Sequence, residues 1–406
     1  MNPPRAAFLA LAGAALAAPA ARADDVQYPP LRRLPAEKLR TLGPILHGFD
    51  LVLVETSPDD RLRQVTSATL VAASPEAVRE VVAHPERYAE FVRNMSRSDV
   101  KPLPGGSLDQ TYSLNYGLFS ARGRNRVDFL PPTAELPVGA IELYQVDAND
   151  HYRWEFLPAA SGGGTIAVLY SYTNFVPAED FIGRIVAQHK SLAYGLAVSV
   201  NLTILLSMKA RAETQPGVFP PYAPPPAGSP ATKQDFLLER GALALVRGAK
   251  DHLESLSLVE RAPVSPEAVL AAAAHPSAWS SHIPSVTESR EALADGGTPA
   301  VRLTRKLPLS SWETRYLVRA RSGGVGLYGV EGDLAGSQLQ LDARPDGGGA
   351  RVTLRTDEHY GKSSVVIRQI FRREPVFEYG VNLGMGMVLL RGVIAQARGA
   401  SQAPAH

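Results

Sequence analysis

Aromatic side chains two residues apart are the groups in this 406-residue sequence that point most directly to a chemistry. Tyr112, Leu114 and Tyr116 form one such set, Tyr152, Trp154 and Phe156 a second, and Tyr170 and Tyr172 a third. Residues two apart on a strand share a face, so each set offers one wall. A tyrosine ring packs on hydrocarbon while its hydroxyl holds one polar group, which suits a cavity for an amphipathic small molecule. Filling a core is the competing use of the same residues. Further along, Trp279, Trp312, Tyr316 and Tyr328 are the corresponding candidates.

The other chemical signals are weaker. Arg302, Arg305, Arg315 and Arg319 are candidates for an anion pocket, but at strand spacing they read as solvated outer-face residues. Gly324 to Gly329 satisfies G-x-G-x-x-G, yet a dinucleotide site needs that motif between a strand and a helix, and here the flanks read as strand and turn. Gly361-Lys362-Ser363 resembles the end of a phosphate loop, but Thr356 stands where the first glycine belongs. The sequence has no Cys, no G-x-S-x-G and no H-E-x-x-H, and its His residues are scattered, so no catalytic nucleophile, metal or cofactor is expected. His84 and His275 each precede a proline at a helix end, where a His caps carbonyls.

The N-terminus reads as a cleavable export signal: Arg5, an apolar run from Ala6 to Ala18, and Ala21-Arg22-Ala23. Cleavage near Ala23 removes two of the 42 basic residues and leaves them equal to the 40 acidic ones. A neutral mature chain gives no general attraction to nucleic acid. Without cysteines, an exported chain has to rely on packed cores. Leu196 to Met208 is apolar but short and interrupted by Ser199, Asn201 and Thr203, so it reads as a buried helix face.

The elements that position these residues occur twice. Ser74-Pro75-Glu76-Ala77-Val78 recurs as Ser265-Pro266-Glu267-Ala268-Val269, and Ala83-His84-Pro85 as Ala274-His275-Pro276, with Tyr88 answered by Trp279. Tyr194-Gly195 matches Tyr379-Gly380, each followed by an apolar helical segment, and Gly48 to Val54 resembles Gly241 to Val246. A proline-rich stretch, 214–236, separates the copies and should act as an extended linker that uncouples them. The expected organisation is a signal peptide at 1–23, an extension at 24–41, domains at 42–213 and 237–399, and a tail at 400–406.

Within a copy, the strand Val65 to Ala72 leads to a helix capped by Ser74 with Pro75 in its first turn. A second short helix carries Tyr88, Phe91 and Val92, six turn-punctuated strands follow, and a long helix from Ala178 to Ala212 closes the unit. Fold class is therefore α+β, a curved antiparallel sheet around a final helix.

The Ser74-Pro75-Glu76-Ala77-Val78 segment with His84-Pro85-Glu86-Arg87-Tyr88-Ala89-Glu90-Phe91 resembles the start of START-like (SRPBCC) domains, nearest the polyketide cyclase and coenzyme Q-binding branch. Tyr88 and Phe91 match the aromatic positions of that segment, whereas the second copy has Trp279 and His282. The resemblance implies two helix-grip domains enclosing apolar cavities, used by relatives to hold lipids, quinones, sterols or polyketides. The expected partner is a hydrophobic small molecule, with transient membrane contact, and the expected activity is binding or carriage in the periplasm. The alternatives are a cyclase or aromatase-like enzyme and a ligand-free interaction module. The first domain, with more aromatics, is the expected principal site, lined by Tyr88, Phe91, Tyr112, Tyr116, Trp154, Phe156, Tyr170 and Tyr172. In the second domain the expected lining is Trp279, Trp312 and Tyr316.

Overall fold

The computed structural model describes residues 28–115, 120–146, 150–160, 163–173, 190–214, 234–249, 252–293, 298–307, 310–363, 365–373 and 375–402. The signal segment, most of the linker, Tyr116 and the first part of the expected long helix, 178–189, lie outside them.

In the first repeat, two short helices, α1 (Ala36–Arg40) and α2 (Gly43–Leu46), precede strands β1 (Asp50–Thr56) and β2 (Leu62–Val71). Helices α3 (Pro75–Ala83) and α4 (Tyr88–Phe91) follow. The meander β3 (Met95–Pro102), β4 (Leu108–Asn115), β5 (Ser120–Leu130), β6 (Ala140–Gln145), β7 (His151–Pro158) and β8 (Thr165–Tyr172) then leads to the long helix α5 (Lys190–Ala212). The second repeat begins with α6 (Asp235–Leu238), β9 (Ala242–Ala249), β10 (His252–Ala262) and α7 (Pro266–Ala274). It continues through β11 (Val286–Leu293), β12 (Pro299–Leu307), β13 (Ser310–Arg321), β14 (Gly324–Gly332), β15 (Gln338–Asp346) and β16 (Gly349–Asp357). Helices α8 (Val365–Arg373) and α9 (Pro375–Gln402) end it. This is the α+β plan of two tandem helix-grip domains.

The local signals act alike in both copies. The Ser74 and Ser265 hydroxyls each accept from the N–H of the third residue of their helix, Ala77 and Ala268, at 3.2 Å, satisfying an end donor that the helix leaves free. The Gly324–Gly329 motif lies within strand β14, so no phosphate-binding turn forms there.

Among the described residues every strand pairing is antiparallel, and the sixteen strands form one sheet because β1 pairs with β9, Val52 opposite Ala244. The halves are therefore not uncoupled, contrary to the reading of the prolines. Helices α5 and α9 also pack on each other through the repeat-related glycines: a Cβ on Gly195 would come within 2.7 Å of the Gly380 carbonyl oxygen, and one on Gly380 would overlap Ser199 Oγ. Tyr194, Val198 and Leu202 of α5 share one core with Ala244, Leu383 and Leu390 of the second repeat. Leu196, the expected core residue of α5, is only half-buried. Ala193–Ala212 and Phe377–Ala400 are long and apolar enough to span a membrane, but each packs as the core helix of its own repeat.

Polar contacts cross the same seam. Arg240 clamps the fully buried Glu55 through two nitrogens, at 2.8 and 2.9 Å. Arg391 of α9 binds Asp60, which holds a left-handed backbone at φ 63°. A chain cut by an engineered protease site within 215–233 should accordingly elute as one particle of unchanged size in gel filtration. The piece 237–406 made alone should aggregate, having lost the partner of β9 and of α9; two separate, soluble halves would contradict the shared core.

Candidate functional site

The outer face of the first sheet is not free. Residues 28–46 and α6 lie across it, burying Leu34, Leu39 and Leu42 against Ile166, Val168 and Tyr170. Consequently β8 is buried on both faces along nearly its whole length. Tyr170 belongs to this outer layer: its hydroxyl accepts from the Leu34 N–H at 3.2 Å and donates to Glu155 at 3.4 Å. Tyr172 shares its parity and its face. Neither is among the residues lining the two cavities described below, and the structure places both on the opposite face from the expected ligand wall.

The inner face carries Leu108, Gln110, Tyr112, Leu114, Asn125, Leu143, Tyr152, Trp154, Phe156 and Leu169, as the pairings Gln110–Asn125, Leu143–Tyr152 and Trp154–Leu169 require. Between this face, α4 and α5 lies a cavity of about 70 Å³ lined by Tyr88, Tyr112, Leu114, Leu143, Tyr152, Trp154, Leu169 and Ile204. Tyr112 lies over its cross-strand neighbour Gly123, so the missing side chain leaves no gap beneath it. Of the residues expected here, Tyr88, Tyr112 and Trp154 are in place. Phe156 stacks behind Trp154, with ring centroids 6.2 Å apart, and is wholly buried in the core.

The polar groups at this cavity divide into spent and unspent ones. The Tyr88 hydroxyl donates to the Val82 carbonyl at 2.5 Å, tying α4 to α3. The Tyr152 hydroxyl donates to Asp150 at 3.2 Å, and burial, reinforced by the Asp150 charge, pushes its pKa well above the usual tyrosine value. It therefore stays protonated, a donor and not a base. On the floor, Asn125 Nδ2 donates to Gln110 Oε1 at 3.0 Å, Gln110 Nε2 to Ser98 Oγ at 2.9 Å, and Ser98 Oγ to the Pro85 carbonyl at 2.5 Å. Asn125 Oδ1 has no partner among the described residues, although the residue is only 7% exposed. Sequence reading passed over Gln110 and Asn125 as strand polar residues. Their parity with Tyr112 and Val127 was the available signal.

A second, more open cleft of about 210 Å³ lies outside the grip, between α3, α4 and the end of α5, and holds Phe91, His84 and Arg211. Its charges satisfy one another. The His84 ring sits between Glu86 at 2.7 Å and Glu80 at 2.8 Å, the Glu86 hydrogen bond raising its pKa above the usual value, and Arg211 reaches Glu90 at 3.5 Å and covers the Phe91 ring. His275 instead caps the Ala271 carbonyl at 2.8 Å.

Among the described residues, the second grip holds a buried cluster of aromatic and charged side chains. Trp279 donates its indole N–H to the Ala272 carbonyl at 3.3 Å, the counterpart of the Tyr88 contact, and is buried in the core. Trp312 packs with Tyr360 and Phe371. Arg305, read from sequence as outward-facing, is 4% exposed and pairs with Glu358 at 2.7 Å and the Tyr316 hydroxyl at 3.1 Å. It shares parity with Val301 and Leu303, so it points inward, whereas Arg302 and Arg315 meet Glu313 and Glu331 and Arg319 covers Tyr328. Tyr360 donates to the other Glu358 oxygen at 2.8 Å. Thus Trp279, Trp312 and Tyr316 are buried packing residues, and Glu358 and Tyr360 of the loop after β16 are buried against Arg305 and Trp312.

No family model matches the sequence, and no curated protein does. Among solved structures, the chain is similar to the di-domain ARO/CYC StfQ of the steffimycin biosynthetic pathway, with 14% identity over 83% of this chain and 99% of that one and a TM-score of 0.29. It is similar to the di-domain ARO/CYC BexL of the BE-7585A pathway, with 13% identity over 84% and 100% and a TM-score of 0.31. A STAR-related lipid transfer protein fragment from Xanthomonas axonopodis matches over 36% of this chain and 93% of its own length, at 14% identity and a TM-score of 0.26. Such values carry no reading of ligand or reaction, and the tandem helix-grip description rests on the element order and register above.

A buried ion pair is costly to break on one side only, because the remaining charge is left unpaired. Glu358→Leu should destabilise the protein by about 3–5 kcal/mol in chemical denaturation, and the double variant Arg305→Leu with Glu358→Leu should recover most of that loss. Equal stability of the single variant and the parent would mean that Arg305 is solvated.

Proposed function

We propose that the protein is an exported binder or carrier of a hydrophobic small molecule, such as a lipid, isoprenoid or quinone, which it holds in the first repeat. The observation that carries this reading is the apolar cavity between the inner sheet face, α4 and α5, in a fold whose other grip buries the Arg305–Glu358 pair among the described residues. Desolvation of an apolar ligand would supply the driving force, roughly 25 cal/mol for each Å² of apolar surface removed from water. The export signal read at Ala6 to Ala23 supports a periplasmic site of action.

The 70 Å³ cavity is smaller than the roughly 300–1,000 Å³ of drug-sized ligand sites, so uptake requires its wall to move. One wall is α4, four residues tied to α3 through the Tyr88 hydroxyl and to α5 through Arg211 on Glu90 and Phe91. Binding is favoured over acid–base catalysis because the Tyr152 and Tyr88 hydroxyls at the cavity are engaged within the protein, Tyr152 by Asp150 and Tyr88 by the Val82 carbonyl.

Titration of the mature chain with N-phenyl-1-naphthylamine, followed by fluorescence, should give one bound dye per chain. Leu114→Trp, which fills the cavity from its partly exposed edge, should weaken that binding on the order of tenfold, equivalent to about 1.4 kcal/mol, at an unchanged melting temperature. Two dyes per chain, or affinity indifferent to Leu114→Trp, would sink the reading.

A further inference from the structure

The hydrogen-bond chain on the floor of the first cavity has a direction. A backbone carbonyl only accepts, so the Pro85 oxygen obliges Ser98 to donate to it. The Ser98 oxygen is then left to accept, which turns the Gln110 amide so that its Nε2 faces Ser98 and its Oε1 faces Asn125. Asn125 must in turn present Nδ2 to Gln110, and the atom left over is Oδ1. Three side chains thus relay the polarity of one peptide carbonyl to Asn125, a residue of the cavity lining, whose Oδ1 is left as an unmet acceptor in a buried position.

The second repeat provides an internal comparison. Ser289 donates to the Pro276 carbonyl as Ser98 does to that of Pro85. Carried along the strands at the same offset of 191 residues, Gln110 and Asn125 correspond to Val301 and Tyr316, which likewise face each other across two strands. The fold is therefore built equally well without the amide pair. An unsatisfied buried acceptor costs stability, and the position that tolerates Val301 does not require one. Arg93, also at the cavity, has a partner of its own.

We infer that Asn125 Oδ1 is the polar recognition point of the first cavity and that the ligand brings a neutral hydrogen-bond donor to it, a hydroxyl or N–H at the end of an apolar body. This rests on the reading of the cavity as a binding site. A ligand ending in an ether, a ketone or an ionised carboxylate sets oxygen against oxygen there and is excluded, which removes an oxidised quinone from the ligands named above and keeps those that end in a hydroxyl or N–H.

The test compares 2-naphthol, 2-methoxynaphthalene and 2-naphthoate with the full mature chain by calorimetry. 2-Naphthol should bind about tenfold more tightly than the methyl ether, the usual worth of one buried hydrogen bond, and more tightly than the carboxylate. Asn125→Leu should abolish the preference for 2-naphthol while leaving the ether's affinity intact. Gln110→Val combined with Asn125→Leu should do the same and avoids stranding the Gln110 amide. Equal binding of 2-naphthol and its ether, a preference for 2-naphthoate, or a preference that survives Asn125→Leu would overturn the inference and leave the cavity reading standing. Binding of none of the three probes would overturn both.

Discussion

The antiparallel pairing of β1 with β9 is the constraint on which the rest of the architecture depends. These two strands are the same segment of the two repeats, and pairing them places the copies about an approximate two-fold axis. That axis brings the equivalent glycines of the long helices, Gly195 and Gly380, into contact beneath the sheet. Backbone approach of that kind excludes any side chain at either position, so seam and helix crossing specify each other. Arg240 on Glu55 and Arg391 on Asp60 then add oriented contacts that a sliding sheet edge would lose.

The same framework supports two different interiors. In the first repeat the loop position corresponding to Glu358 is Thr173, a short side chain, and the inner face offers Leu114 where the second repeat has Arg305. Long side chains paired by charge and by tyrosine hydroxyls occupy the second grip, and their mutual satisfaction makes that filling tolerable in a low-dielectric core. Shorter groups leave the first grip partly open. Openness here follows from side-chain length and from one unfinished hydrogen-bond chain, not from a difference in backbone plan.

Much of this was legible in the sequence. The repeat offset, the Ser74 and Ser265 caps and the inward set Tyr112, Tyr152 and Trp154 follow from spacing alone. Tyr170 and Tyr172 were misplaced because alternation distinguishes two faces only when one meets water, and residues 28–46 bury the outer face as well. Arg305 was misplaced for the opposite reason: its parity was readable, but its partner Glu358 lies 53 residues away and no local pattern announces it. Prolines report the conformation of the linker itself and carry no information about whether the strands beyond it find an edge to pair with.

Fusing two copies across a dyad also changes what substitution can accomplish. In a dimer of identical subunits, every replacement appears on both sides of the axis, so a group that plugs one pocket plugs its mate. Here Arg305 and Leu114 occupy equivalent positions encoded by different codons. One half can pack long charged side chains, as the second does with Arg305 and Glu358, while the other keeps a short residue and a cavity at the matching place. A single polypeptide thereby divides labour that symmetry would otherwise forbid.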